Sequence, residues 1–289
     1  MFQIITDACC DLPATVLDKE KIAYIPMILE LEGKEYIDDL GQTFDYQWFL
    51  EVLKENKQPA TTQINVGQYA EWFHPYVEQG IPLLYVGFSS GLSGSYNSSL
   101  QAVALLKEEY EHVEIYCVDT KNASLGTGML AMQAAALQKA GKTIQETVAW
   151  LEQYKMHLRS WVTVNDLKHL ERGGRISKAA AAFGSLLSVK PIIYVDTEGH
   201  LENVDKVRGR NKAIHKIVAE TTNDLDLSLI NHFYVAHSGD DEVVTKVVKQ
   251  LQEAYPETPI SQFPLGPTIA SHTGYGCIAL FSMGQQPRK

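Results

Sequence analysis

No apolar run in these 289 residues approaches the roughly 18 uncharged positions that a membrane-spanning helix needs. The opening Met1-Phe2-Gln3-Ile4-Ile5-Thr6-Asp7 lacks a basic leader followed by an apolar segment, so a cytoplasmic setting is expected. Cysteine is scarce. Cys9, Cys10, Cys117 and Cys277 form no C-x-x-C pair, and no histidines cluster at metal-ligand spacing. A disulfide framework and a metal site are therefore not expected, and the thiols should be reduced and largely buried. Neither G-x-x-x-x-G-K-[ST] nor a post-strand G-x-G-x-x-G occurs, which removes the usual ATP and dinucleotide signatures and leaves no cofactor to expect. Positive charge is also short: 25 basic residues face 35 acidic ones, a formal charge of −10, which argues against a nucleic-acid partner.

What remains is an ordinary globular composition, 45% hydrophobic and 21% charged, in a chain long enough for two domains. Residues 3–7 and 23–31 read as strands, and residues 13–19, 46–56 and 67–79 as helices, from apolar spacings of two and of three to four. Then a βαβα alternation follows: strand Ile81–Phe88, helix Ser95–Glu109, strand Val113–Val118, helix Ser124–Ala140. Such crossovers predict a mostly parallel sheet with flanking helices. A helix over Thr143–Leu158 closes the first half. Beyond it, strands at 161–164, 191–195, 200–207, 232–237 and 278–282 alternate with helices at 178–187, 209–222 and 241–254. The polar turn Thr197-Glu198-Gly199 predicts an antiparallel hairpin. The expected fold is α/β with two domains: residues 1–158, mostly parallel, and residues 159–289, mixed α/β.

Four blocks carry candidate chemistry. In Ser89-Ser90-Gly91-Leu92-Ser93-Gly94-Ser95, which leaves a predicted strand and opens a helix, six of seven residues are serine or glycine. A helix cap needs fewer, whereas an anion cradle needs converging N–H and hydroxyl groups. Thr61 and Thr62 in Pro59-Ala60-Thr61-Thr62-Gln63 either cap the following helix or face a ligand. Glu171-Arg172-Gly173-Gly174-Arg175-Ile176-Ser177 is a solvated turn or an anion-directed one. His272, within Gly266–Gly274, is a satisfied structural histidine or a ligand. Between Lys168 and Lys216 ten basic residues face five acidic ones, a local +5 that reads as solvated helix faces or as a dock for an acidic partner. A serine-hydrolase reading, with Ser93 as nucleophile and His272 as base, meets a missing glycine: Ser95 stands where G-x-S-x-G closes.

Together, Ile5-Thr6-Asp7 with Asp11-Leu12-Pro13, Thr61-Thr62-Gln63, the Ser89–Ser95 turn, Gly173-Gly174-Arg175-Ile176, Lys206-Val207-Arg208-Gly209-Arg210 and His272-Thr273-Gly274 resemble the DegV family of bacterial fatty-acid-binding proteins. The blocks run in family order from residue 4 to residue 276. The resemblance implies a two-domain carrier without catalysis of its own. It would hold one long-chain fatty acid, carboxylate near the domain junction and tail in a closed apolar tunnel. The implied partner is the ATP-binding subunit of a bacterial fatty-acid kinase, which converts the bound carboxylate to an acyl phosphate for phospholipid synthesis; transient membrane contact is compatible with such a role. By position, the carboxylate ligands are Thr61, Ser93 and His272, with Thr62, Gly94, Ser95 and Thr273 beside them. The basic stretch then gains a role in partner docking, through Arg172, Arg175, Arg208 and Arg210. Two departures stand out: Thr62 replaces a frequent serine and keeps the hydroxyl, and Cys9-Cys10 occupy positions that usually hold small residues.

The energetics agree with that implication. Burying about 16 carbons yields on the order of 10 kcal/mol before ligand immobilisation is subtracted. A buried carboxylate must recover charge-assisted hydrogen bonds, here from the Thr61 and Ser93 hydroxyls, the Gly94 or Ser95 N–H and an imidazole that the carboxylate itself would protonate. A lipid carrier without a kinase partner and the hydrolase reading remain as alternatives.

Overall fold

A computed structural model describes residues 2–55, 57–177 and 188–288. In chain order the first part comprises β1 (Gln3–Asp7), α1 (Ala14–Glu20), β2 (Ile22–Ile25), β3 (Met27–Leu31) and β4 (Lys34–Asp38). Next come α2 (Tyr46–Lys54), β5 (Ala60–Thr62), α3 (Val66–Glu78), β6 (Leu83–Gly87), α4 (Ser95–Glu109), β7 (Ile115–Asp119), α5 (Leu125–Lys139) and α6 (Ile144–Tyr154). The second part holds β8 (Leu158–Thr163), α7 (Lys168–Arg172), β9 (Val189–Val195), β10 (Leu201–Arg208) and α8 (Arg210–Thr222). It ends with β11 (Phe233–His237), α9 (Asp241–Ala254), β12 (Ile260–Pro264), α10 (Pro267–Thr273) and β13 (Ile278–Met283). The helix expected over residues 178–187 lies outside the described residues.

The architecture is α/β, as expected, on one parallel and one mixed sheet. The first sheet has the order β2-β1-β6-β7, every pair parallel. All five residues of β6 are buried, as a parallel strand covered on both faces requires. The second sheet runs β10-β9-β8-β13-β11-β12, antiparallel except for β11 with β12. Its strands alternate faces. Ile278 and Leu280 of β13 pack with Ile214 and Ile217 of α8 and Val244 and Val247 of α9, while Ala279 and Phe281 turn towards the parallel sheet. The predicted hairpin is β9–β10, and its tip rests on the serine-rich turn, where Ser89 Oγ donates to Gly199 O at 2.9 Å.

The expected single strand over residues 23–31 is two strands in different sheets. Pro26 lies between them and has no N–H for a ladder, and β3 turns into a small sheet of order β4-β3-β5. Glu32 and Gly33 close the β3–β4 hairpin with φ of 53° and 77°, the mirror-image turn that matches strand twist. Strands β4, β5 and β12 and helices α7 and α10 were not expected from periodicity. Among the described residues, no helix is long and apolar enough to cross a membrane.

Candidate functional site

The loops leaving the carboxyl ends of β1, β6 and β7 contribute Cys9, Leu92, Ser93 and Asn122 to one cavity, the place where parallel α/β sheets receive ligands. The inward faces of β8, β9 and β13 supply Val162, Ile193, Val195, Ala279 and Phe281 as the opposing wall. The space between is lined mainly by apolar side chains. Thr61 and His272 meet in it with Arg175 beside the imidazole, and Gln63, Ser93, Asn122, Ser124, Ser160, Thr268 and Thr273 are further polar members of the lining.

Two short elements bring Thr61 and His272 together across 211 residues of sequence. Thr61 pairs with Leu29 in the β3–β5 ladder, so its side chain shares the inward face with Met27 and Leu29. His272 rides on α10, and its Nε2 lies 2.8 Å from Thr61 Oγ1. Buried carboxyl groups anchor the start of α10. Asp38 accepts from the Thr268 N–H at 3.2 Å and the Thr268 hydroxyl at 2.6 Å, and Asp11 accepts from the Gly266 N–H at 3.0 Å. Burial pushes both carboxyls up, Asp38 to about 6 and Asp11 well above the usual carboxylate range. The imidazole meets Gly173 from the other side: a Cβ there would lie 2.2 Å from His272 Nδ1, so only glycine leaves room for the ring.

A third buried carboxyl organises the serine turn. Asp7 Oδ2 accepts from Tyr85 Oη at 2.7 Å and from the Phe88 N–H at 3.1 Å, and Tyr69 Oη adds a 2.6 Å bond to Tyr85. This chain fixes the end of β6 and hence the path of residues 88–94 towards the cavity.

Within the turn the hydroxyls divide their tasks. Ser93 Oγ faces the cavity, accepts the Ser95 N–H at 3.2 Å and lies 3.0 Å from Ser95 Oγ. Ser95 is buried and its hydroxyl accepts the Ile64 N–H at 3.1 Å, so it joins α4 to the β5 loop and does not line the cavity. Gly94 caps α4 and packs against the Gln63 amide, where a Cβ would come within 2.3 Å of Oε1; it too lies behind the lining. Thr62 is exposed on the outward face of β5, one residue out of phase with Thr61. Thr61, Ser93, His272 and Thr273 are thus brought to one cavity, whereas Thr62, Gly94 and Ser95 are not. The cap of α3 is Asn65, not the threonine pair.

The charge expected on His272 is one that a bound carboxylate induces. Burial, then the neighbouring Arg175 and His169, hold its pKa down to about 4, so the imidazole is neutral near neutral pH in this state. The fixed positive charge is Arg175. Its Nε donates to Leu92 O at 3.1 Å and its guanidinium also bonds Gly173 O, which turns it into the cavity. Of the other arginines assigned to docking, Arg172 and Arg208 are exposed, but Arg210 is turned inward. Its side chain is 17% exposed, pairs with Asp240 at 3.4 Å and bonds Gly276 O, so it braces the fold and presents no docking surface. A polar cleft open to the surface shares Thr61, Arg175 and His272 with the cavity and adds Arg172 and His169.

Three features were missed in the sequence. Gln63 lines the cavity, and Asp11 and Asp38 seat the helix that carries His272. All four cysteines are unpaired, and Cys9 and Cys277 form part of the wall. Burial raises Cys277 to about 12, so it serves as small apolar surface, not as thiolate. Ser93 has no bond to His272, whose Nε2 is engaged by Thr61; a nucleophile–base pair is absent from this geometry.

A family model described as "Uncharacterised protein, DegV family" matches residues 1–285. A DegV domain-containing protein of Clostridium perfringens is 40% identical over 287 residues, covering 98% of this chain and 97% of that relative. A stearic-acid-binding protein from Eubacterium ventriosum has a closely similar structure, with a TM-score of 0.87, 26% identity and 99% of each chain covered. The crystal structure of DegV, a fatty acid binding protein from Bacillus subtilis, matches with a TM-score of 0.83 and 27% identity over 98% of this chain and 99% of that one. By the extent of these matches, the chain belongs to the DegV family.

Proposed function

We propose that this protein binds one long-chain fatty acid. The acyl chain lies in the apolar cavity between the two large sheets, and the carboxylate sits among Thr61, Ser93, Arg175 and His272. The observation that carries this reading is a mainly apolar lining into which Thr61 and His272, 2.8 Å apart, and the adjoining Arg175 are set together. Relatives described as fatty-acid binders at 26% and 27% identity support it. With the domain boundary near residue 158, the head group lies at the junction, since Thr61 and Ser93 come from one side and His272 from the other. Titration of delipidated protein with octadecanoate is the test. Ser93→Ala and His272→Ala should each weaken binding by about tenfold to a hundredfold, the worth of a charge-assisted hydrogen bond. Unchanged affinity in both variants would remove this head-group assignment.

The open cleft beside the head group supports a second step, presentation of the carboxylate to the ATP-binding subunit of a fatty-acid kinase. A carboxylate oxygen would attack the terminal phosphorus of ATP, forming the acyl phosphate as ADP leaves with the bridging oxygen. Arg172, exposed in that cleft, faces the incoming phosphate or the partner, and Arg175 balances charge at the carboxylate. Arg172→Glu should lower acyl-phosphate formation, trapped with hydroxylamine, by tenfold or more, while octadecanoate affinity stays within about twofold. Equal loss of both would contradict a docking role. A kinase preparation that yields no acyl phosphate with the unaltered protein would leave a lipid carrier as the function.

A further inference from the structure

Resting on the fatty-acid reading above, we infer that the cavity contains a second polar recognition point, Asn122, which selects acyl chains carrying an oxygen substituent, hydroxyl or oxo, along the chain. Asn122 follows β7 and lines the cavity, yet it is 0% exposed. Its Oδ1 accepts the Ala123 N–H at 3.0 Å and the Ser160 hydroxyl at 2.7 Å. A backbone N–H can only donate, so these contacts fix which end of the amide is oxygen. The NH2 group then carries two donors, and Nδ2 has no acceptor within the protein.

Unpaired donors on a fully buried side chain are exceptional and unfavourable, and they point to an acceptor that arrives from outside the chain. The main chain keeps Asn122 from swinging elsewhere: its carbonyl accepts the Ser89 N–H at 2.9 Å and the Thr127 hydroxyl at 3.1 Å. Phe281 lies against the same loop, since a Cβ on Gly126 would touch both Asn122 Oδ1 and the Phe281 ring. Val162 and Phe281 are apolar members of a lining that also includes Ser124 and Ser160, the Ser160 hydroxyl being already given to Asn122 Oδ1. None of the head-group cluster Thr61, Ser93, Arg175 and His272 bonds to Asn122, which follows β7 and stands on a different loop or element from each of them. A carboxylate held at that cluster would therefore set the place of the second oxygen by counting carbons along the chain. A ligand hydroxyl or carbonyl at the right carbon would accept from Nδ2. Elsewhere along the wall the same hydroxyl would be buried without a partner and bind poorly.

The experiment measures affinities of delipidated protein for octadecanoate and for the positional isomers of monohydroxy-octadecanoate. One isomer, or two adjacent ones, should bind about tenfold tighter than the remaining isomers and at least as well as octadecanoate. Asn122→Leu should abolish that preference, the isomers then differing from one another by no more than about twofold whatever the octadecanoate affinity, and Ser160→Ala, which leaves Nδ2 in place, should keep it. If Asn122→Leu fails to fold, the isomer series on the unaltered protein still decides. Uniformly weaker binding of every hydroxy isomer would overturn the inference and assign Nδ2 to a buried water. Failure of octadecanoate and all isomers to bind would instead refute the fatty-acid reading on which it rests.

Discussion

The two large sheets approach the same cavity with opposite chemistry. The parallel sheet offers it the ends of its strands, where loops are irregular, rich in hydroxyls and N–H groups, and held by buried carboxyls such as Asp7 and Asp11. The mixed sheet offers it a face, where every second residue of β8, β9 and β13 points inward and, apart from Ser160, presents apolar volume. A strand end can place a donor to within a bond length; a sheet face makes a smooth wall. The difference explains how one cavity combines hydrogen-bonding groups with a mainly apolar wall, the two chemistries that a fatty acid itself possesses.

The largest test breaks the wall. Ala279→Trp on β13 would fill the space where an acyl chain lies and should lower octadecanoate affinity by a hundredfold or more, because burial of the tail supplies most of the binding energy. Retention of the far-ultraviolet spectrum and a thermal transition would show that the fold survives. Wild-type affinity in a folded variant would mean that the ligand lies elsewhere.

A subtler change strikes the polar region without touching a proposed ligand. Gly173→Ala puts a methyl group against His272 Nδ1, and the ring must move away from Thr61. Affinity should fall by about threefold to thirtyfold, with the hydroxy-isomer preference unchanged, since Asn122 is on another loop.

Titration separates the regions next. His272 is held down to about 4 without ligand, and a carboxylate beside it favours the charged ring. Binding is then coupled to proton uptake, and affinity should rise as pH is lowered from about 8 towards about 5.5, by up to roughly tenfold per unit. Calorimetry in buffers of different ionisation enthalpy measures the proton count, and His272→Gln should flatten the dependence. Stability follows two opposed signs. His272, lowered from 6.5, takes up a proton in the unfolded chain first, so its contribution is lost as pH falls from 6.5 to about 4. Asp38, raised from 3.8 to about 6, keeps its proton longer in the folded chain, so stability declines as pH rises across that interval. Asp38→Asn should remove the second slope and leave the first.

The smallest expected effect is a control. Thr62→Val changes a hydroxyl on the outward face of β5, and octadecanoate affinity should stay within about twofold. A loss comparable to that of Ser93→Ala would show that β5 takes a different register when ligand is bound.

Long periodic elements were legible from residues alone. The helices Ser95–Glu109 and Asp241–Ala254 begin and end where apolar spacing says they should, and the βαβα order predicts the parallel sheet. The elements that hold the cavity's key side chains were not legible. β5 has three residues and α10 seven, too few for a period to register, and it is the tertiary fold that seats them. The sequence places Arg175 in a turn that is either solvated or anion-directed and offers it for partner docking; its guanidinium turns into the cavity because the carbonyls of Leu92 and Gly173 receive it. Asp11 and Asp38 look like loop acids in the sequence, and the arrival of α10 from the far end of the chain gives them the donors that tie them to the site. The charged histidine expected beside a bound carboxylate belongs to the liganded state; without ligand, burial and then Arg175 and His169 hold His272 neutral near neutral pH.

The central claim is that this cavity holds a lipid carboxylate and its tail. Organic-solvent extraction of the protein purified without added lipid, followed by mass spectrometry, tests it most directly. The account predicts a long-chain fatty acid at close to one molecule per chain, reduced at least severalfold in Ala279→Trp. Recovery of a nucleotide, or no lipid together with no binding of octadecanoate by the extracted protein, would contradict it.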